Sequence, residues 1–191
     1  MKGKTIILAG GSGGLGSAVA EEIARRGGLP VIGFLSNRER AEALAQRIFD
    51  KHGVRPPLVE GDILAASTRQ RLLEEARNAG DLYGLVPLAG NPARMPVESA
   101  TEEDLVHSMR VNFAGPVLLA RDFAAAARER DASIVFVSTM QAIGIFPGST
   151  VYAAPKAALV HSEDSGKAME GSCECRGTGC EQCGHGGAKC P

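Results

Sequence analysis

The sequence predicts an α/β fold: a doubly wound parallel sheet that stays incomplete at its C-terminal edge. Three observations predict it. Short apolar runs alternate with longer amphipathic stretches from Thr5 to about His161; five of the seven residues from Gly10 to Gly16 are glycine, at the first junction between the two; and the alternation stops after His161. Strands buried on both faces read as continuous apolar runs, and parallel neighbours need crossover connections, so the alternation implies helices on both sides of one sheet. Ligands of such a sheet sit at the carboxyl ends of its strands.

Taken in order, strands are expected over Thr5 to Ala9, Leu29 to Leu35, Pro57 to Glu60, Gly84 to Leu88 and Ser133 to Val137. Helices fill the gaps, from Gly14 to Arg26, Arg38 to Lys51, Ser67 to Ala79, Glu102 to Arg130, and from Val151 onward, each with apolar residues three and four apart. Residues 1–161 form one domain on this reading. Residues 162–191 lose the periodicity, hold all five cysteines and are rich in glycine, the composition of a disordered tail.

Composition narrows the function. A chain of 191 residues that is 44% apolar supports one domain with a sizeable core. A net charge of −1 gives no positive field for nucleic acid or an anionic membrane surface, so neither partner is expected. The longest apolar runs are far below the roughly 20 residues that cross a bilayer. Lys2, Lys4, Ile6 to Leu8 and Ala18-Val19-Ala20 imitate an export signal, but the glycines from Gly10 interrupt it, and a cytoplasmic location is expected. The first 172 residues hold no cysteine, so that part of the fold uses no disulfide or thiolate ligand.

The glycine turn carries the first chemistry. Gly10, Ser12, Gly14, Leu15 and Gly16 stand where a strand turns into a helix, so bare backbone and free N–H groups can approach a pyrophosphate. About twenty residues on, the carboxylate that would bind an adenosine 2′-hydroxyl is missing. Ser36, Asn37 and Arg38 offer hydroxyl, amide and guanidinium donors suited to a 2′-phosphate, which favours NADP(H) over NAD(H). The alternative is that Ser36 caps the next helix and Arg38 is a solvated charge.

Tyr152 and Lys156 stand four apart, on one face of a helix. An ammonium beside a phenol stabilises phenolate and lowers the tyrosine pKa, so the group can give or take a proton. Pro155 is expected in the first turn of that helix, because deeper it would break it. An ordinary surface pair is the alternative.

With these residues in view, 4 to about 161 resembles the short-chain dehydrogenase/reductase family, a Rossmann-fold family. Gly10, Gly14 and Gly16 match its glycine motif, Asp62 with Ile63 beside it matches the aspartate that contacts adenine, Ala89-Gly90 match the end of its NNAG, and Asn112, Tyr152 and Lys156 match its helix asparagine and YxxxK. The resemblance implies hydride transfer between nicotinamide and a small-molecule carbonyl or alcohol, with a 3-oxoacyl thioester as the substrate of the 3-oxoacyl-ACP reductase-like members. It implies Tyr152 as proton donor, Lys156 as holder of the nicotinamide ribose, Asn112 as support of a water relay, and a homo-oligomer for an intact member. The substrate-orienting hydroxyl is either Thr139, thirteen residues before Tyr152, or Ser138, which keeps the family's residue type. Ala9 replaces the motif threonine and Pro87-Leu88 replace two asparagines, so bracing side-chain bonds are missing and tighter packing is expected to compensate.

The tail admits two readings. Cys173, Cys175, Cys180, Cys183, His185 and Cys190 supply more than enough soft ligands for a tetrahedral zinc site, giving an interaction module. The preferred reading is a shift of reading frame near Ser162: read one base later, the codons permit RVNVVAPG across Ser172 to Cys180, like the NxxxPG segment that follows the family's active-site helix. On that reading no metal site is assigned. A catalytically inactive dinucleotide-binding protein is the remaining alternative.

Overall fold

The computed structural model describes residues 1–128 and 130–162. Five parallel strands, β1 (Lys4–Ala9), β2 (Leu29–Phe34), β3 (Leu58–Glu60), β4 (Asp81–Pro87) and β5 (Ser133–Ile134), lie in the order β3-β2-β1-β4-β5. The helices are α1 (Gly14–Arg25), α2 (Arg38–His52), α3 (Ala66–Ala79), α4 (Glu102–Met109), α5 (Gly115–Ala126) and α6 (Thr150–His161). The sequence-predicted doubly wound sheet is therefore the observed one. Its two faces are written in β1: Ile7 and Ala9 enter a core with Leu72, Leu119 and Phe123 of α3 and α5, while Ile6 and Leu8 enter another with Ile23, Leu44 and Ile48 of α1 and α2. Alternate side chains point to opposite faces, so a run apolar at every position is what a strand between two helical layers needs. Each fully buried Leu or Ile in these layers stabilises the fold by about 2 kcal/mol.

Three expectations need correction, two of them through proline. The single helix expected over 102–130 is two helices joined by a π-helical turn, Arg110–Ala114. Pro116 has no N–H to give the carbonyl four residues back and its ring crowds it, so the helix widens there and Gly115 N donates to Arg110 O, five residues back. Pro155 lies not in the first turn but at the sixth residue of α6. An interior proline costs a helix about 3 kcal/mol; here the carbonyl it deprives, Val151 O, accepts instead from Ser108 Oγ at 2.6 Å. Finally, β5 stops at Ile134 rather than Val137: Val135 N still donates to Leu85 O at 2.9 Å, but its side chain is half exposed, and β5 pairs only with β4 among the described residues.

Candidate active site

β1 ends at Ala9 and the chain turns at once. Gly10 has φ +84°, the left-handed region, and a Cβ there would stand 2.7 Å from Ala89 N. A Cβ on Gly16 would stand 2.6 Å from Gly10 O, so α1 can begin this close to the turn only because both residues are bare. Gly14 differs, with no atom within 4 Å of its Cβ position. Its bareness keeps open the space in front of the helix. Among the described residues, no acceptor faces the N–H groups of Gly14, Leu15 and Gly16, and the first turn of α1 carries no acidic side chain. Free donors, the positive end of the helix dipole and open space fit the pyrophosphate of a dinucleotide.

A cleft of about 520 Å³ runs from this turn along the carboxyl ends of the strands. It gathers Gly10, Ser12, Ser36, Asn37, Asp62, Ile63, Ala89 and Gly90 from four separate segments. A second cavity of about 260 Å³ holds Gly14, Leu15, Gly16, Ser138, Tyr152 and Lys156, and shares Gly10, Gly13, Leu88 and Gly90 with the first. The two form one trough, with Ser36 at one end and Tyr152 at the other. The wall at Asp62–Leu64 is fixed in place: Asp62 Oδ1 accepts from Leu64 N at 2.9 Å, and buried Arg69 donates to Ile63 O at 2.8 Å and Leu64 O at 2.9 Å while pairing with Asp122 at 2.6 Å. Burial alone would raise the Asp122 carboxyl; hydrogen bonds from Arg69 and Arg121 outweigh it and hold the group below the usual carboxylate range.

At the adenosine end, the helix cap considered for Ser36 belongs to Asn37, whose Oδ1 accepts from Arg40 N at 2.9 Å. Ser36 is thereby left facing the cleft. Arg38 does not line the cleft; its guanidinium is paired with the Glu60 carboxylate and lies 3.6 Å from Glu42.

At the other end, α6 presents Tyr152 and Lys156 together. Lys156 is 5% exposed, its Nζ donates to Val137 O at 2.9 Å, and its own carbonyl accepts from Ser138 Oγ at 3.1 Å. Nζ lies 6.0 Å from the centre of the Tyr152 ring. Burial pushes the tyrosine phenol above its ordinary value and the lysine ammonium below its own. The expected lowering of the tyrosine by the lysine is therefore absent, because the ammonium is bonded to a backbone carbonyl rather than to the phenol and desolvation acts on both groups. Thr139 lies outside the cavity, its Oγ1 accepting from Gln141 N at 3.3 Å at the start of a short 3₁₀ helix, Met140–Ala142.

Asn112 is fully buried in the π-helical turn and lines neither part of the trough. Its Oδ1 accepts from Asn91 N at 2.9 Å, and its Nδ2 donates to Asn91 O at 3.1 Å and Ser108 Oγ at 3.0 Å. Both Nδ2 protons and one lone pair of Oδ1 are thus engaged in bracing. The brace that Pro87 and Leu88 cannot supply comes from the Asn91 backbone. Asn91 and Ser108 were not among the sequence candidates, although Ser108, four residues before Asn112 on one helix face, was within reach of that spacing rule.

Among the described residues no helix is long and apolar enough to cross a membrane, and no group of three metal-ligating side chains is present. The cysteine-rich segment and the frame change proposed to produce it lie outside the described residues from 163 onward.

Residues 4–168 match the sequence model of the short chain dehydrogenase family. The chain is 31% identical over 160 residues to an uncharacterized oxidoreductase of Methylorubrum extorquens, covering 83% of this chain and 64% of that protein. It is 31% identical over 179 residues to an L-xylo-3-hexulose reductase of Hypocrea jecorina, covering 83% and 59%. A crystal structure of a dehydrogenase/reductase from Sinorhizobium meliloti superposes with TM-score 0.77 at 30% identity, covering 85% of this chain and 64% of that one. The chain thus spans about three-fifths of the length of these relatives. With the match running from β1 through the tyrosine helix, the chain belongs to the short-chain dehydrogenase family.

Proposed function

We infer that this chain is an oxidoreductase that uses NADP(H) in preference to NAD(H) and interconverts a small-molecule ketone and alcohol. The observation that carries the reading is the single trough, with free N–H groups beneath its middle, Ser36 and Asn37 at one end and Tyr152 with Lys156 at the other. The nicotinamide cofactor supplies the hydride when bound. The chain supplies everything else. The start of α1 binds the pyrophosphate, Ser36, Asn37 and a guanidinium released from Glu60 hold the 2′-phosphate, and the Asp62–Ile63 wall faces the adenine. Lys156 keeps one N–H on Val137 O and has two left for the nicotinamide ribose. Tyr152 gives its phenolic proton to the carbonyl oxygen as the alcohol forms.

Two hydroxyls are available to orient that oxygen. Ser138 borders the cavity, but its proton is already given to Lys156 O, whereas the Thr139 proton meets no acceptor among the described residues. Thr139 lies outside that cavity, so both stay candidates for the orienting role, Ser138 by its position and Thr139 by its unengaged proton. Because burial raises the phenol, Tyr152 stays protonated through neutral pH. Reduction should be level across neutral pH and fall on the alkaline side, above the ordinary tyrosine value; stability from this group is lost over that same range, as pH rises through the raised folded-state pKa.

The family resemblance favours a 3-oxoacyl thioester as substrate, and the relative named as a hexulose reductase favours a ketose. α4 exposes Leu105, Val106 and Met109, an apolar surface on which a homo-oligomer could close. The test is an NADPH fluorescence titration followed by NADPH oxidation with each substrate class. Saturable binding with turnover that Tyr152→Phe removes supports the reading. Binding without turnover would favour the inactive dinucleotide-binding protein, and no binding would reject both.

A further inference from the structure

α6 carries the two residues on which the proposed chemistry depends, yet it contains an interior proline. Pro155 stands between Tyr152 and Lys156 and withholds the N–H that would otherwise bond to Val151 O. A buried carbonyl without a donor would let the first turn of α6, and Tyr152 with it, swing away from the trough. The donor comes from another helix. Ser108, 2% exposed on α4, gives its proton to Val151 O at 2.6 Å and accepts from Asn112 Nδ2 at 3.0 Å. Asn112 in turn clasps the Asn91 backbone from both sides, beside the Ala89–Gly90 wall of the trough. On the far side of the proline, residue 156 is tied to the stretch that follows β5 by the bonds to Val137 O and from Ser138 Oγ.

We propose that Ser108 is a positioning residue: its hydroxyl replaces the backbone donor lost at Pro155 and couples the tyrosine helix to Asn112 and the trough wall, so that Tyr152 is held toward the cleft. Ser108 touches neither part of the trough itself. It acts through Val151, next to Tyr152 in the chain. The inference rests on the functional reading above for the purpose of that placement, but the placement can be read without cofactor or substrate.

The chain has two tyrosines, Tyr83 and Tyr152, so in a Tyr83→Phe background the ultraviolet absorbance of tyrosinate reports Tyr152 alone. In the full chain, Ser108→Ala should shift the Tyr152 ionisation midpoint down, toward the ordinary tyrosine value, as the loosened helix admits water, and should lower the melting temperature. Pro155→Ala restores the missing N–H, so Ser108→Ala placed on Pro155→Ala should recover most of both losses. A merely structural serine would cost stability equally in the two backgrounds and leave the midpoint where it was. An unchanged midpoint, or equal losses with and without Pro155, overturns the proposal. If Ser108→Ala unfolds too readily to titrate, the double variant carries the test: a recovered melting temperature supports the coupling and an unrecovered one rejects it. NADPH titration of the unsubstituted chain decides the functional reading separately, since its failure leaves these apo measurements untouched.

Discussion

The two halves of the trough are built by different means. At the turn from β1 into α1 the site is made of backbone: Gly10 and Gly16 bring the turn and helix to within a Cβ of each other, and the donors there are main-chain N–H groups. From β4 to α6 it is made of side chains reaching backbone far away in sequence, Ser108 to Val151, Asn112 to Asn91, Ser138 and Lys156 across to each other's segments. The first half depends on what is absent from its residues, the second on what a few hydroxyls and one amide donate. Substitutions should therefore fail differently: added atoms wreck the first half, removed atoms loosen the second.

The largest effect belongs to the reacting group. Tyr152→Phe should lower turnover about a thousandfold while NADPH affinity, set by the other half, stays as it was; steady-state kinetics beside a fluorescence titration check both. Gly16→Ala should do the opposite. Its new Cβ meets Gly10 O at 2.6 Å, so thermal melting should show a loss of about 1–3 kcal/mol and NADPH binding should disappear. Asn112→Ala removes three hydrogen bonds and leaves Asn91 N and Ser108 partly unpaired, at a cost of about 2–3 kcal/mol in denaturant unfolding. The smallest effect is at the adenosine end: Glu60→Gln frees Arg38 and should raise the NADPH over NADH preference by up to about fivefold, the scale of an exposed ion pair. Arg38→Ala should erase that preference.

The same contrast explains what the sequence made legible. The glycine turn and the strands could be found because they depend on local spacing and on a run apolar at every position, while Asp62, Ile63, Ala89 and Gly90, which line the cleft, were found only through the family resemblance. Tyr152 and Lys156 were found by helical spacing, and the structure does bring them to one cavity. What stayed hidden were the bonds that join distant segments. No local pattern says that Pro155 can lie deep in a helix if Ser108 stands opposite its deprived carbonyl, or that Pro116 opens a π-helical turn around Asn112. Nor does spacing reveal that Arg38 is held by Glu60, since that pair forms only when β3 lies beside β2.

The most direct measurement follows a labelled hydride. With NADPH deuterated at the transferable position and a ketone substrate, the unsubstituted chain should deliver deuterium to the carbon of the alcohol product, while Tyr152→Phe binds the same cofactor and forms labelled alcohol about a thousandfold more slowly. Labelling at equal rates by both proteins would contradict the assignment of Tyr152 as the proton donor. No labelling by either, with NADPH bound, would contradict the account of the trough as a reductase site.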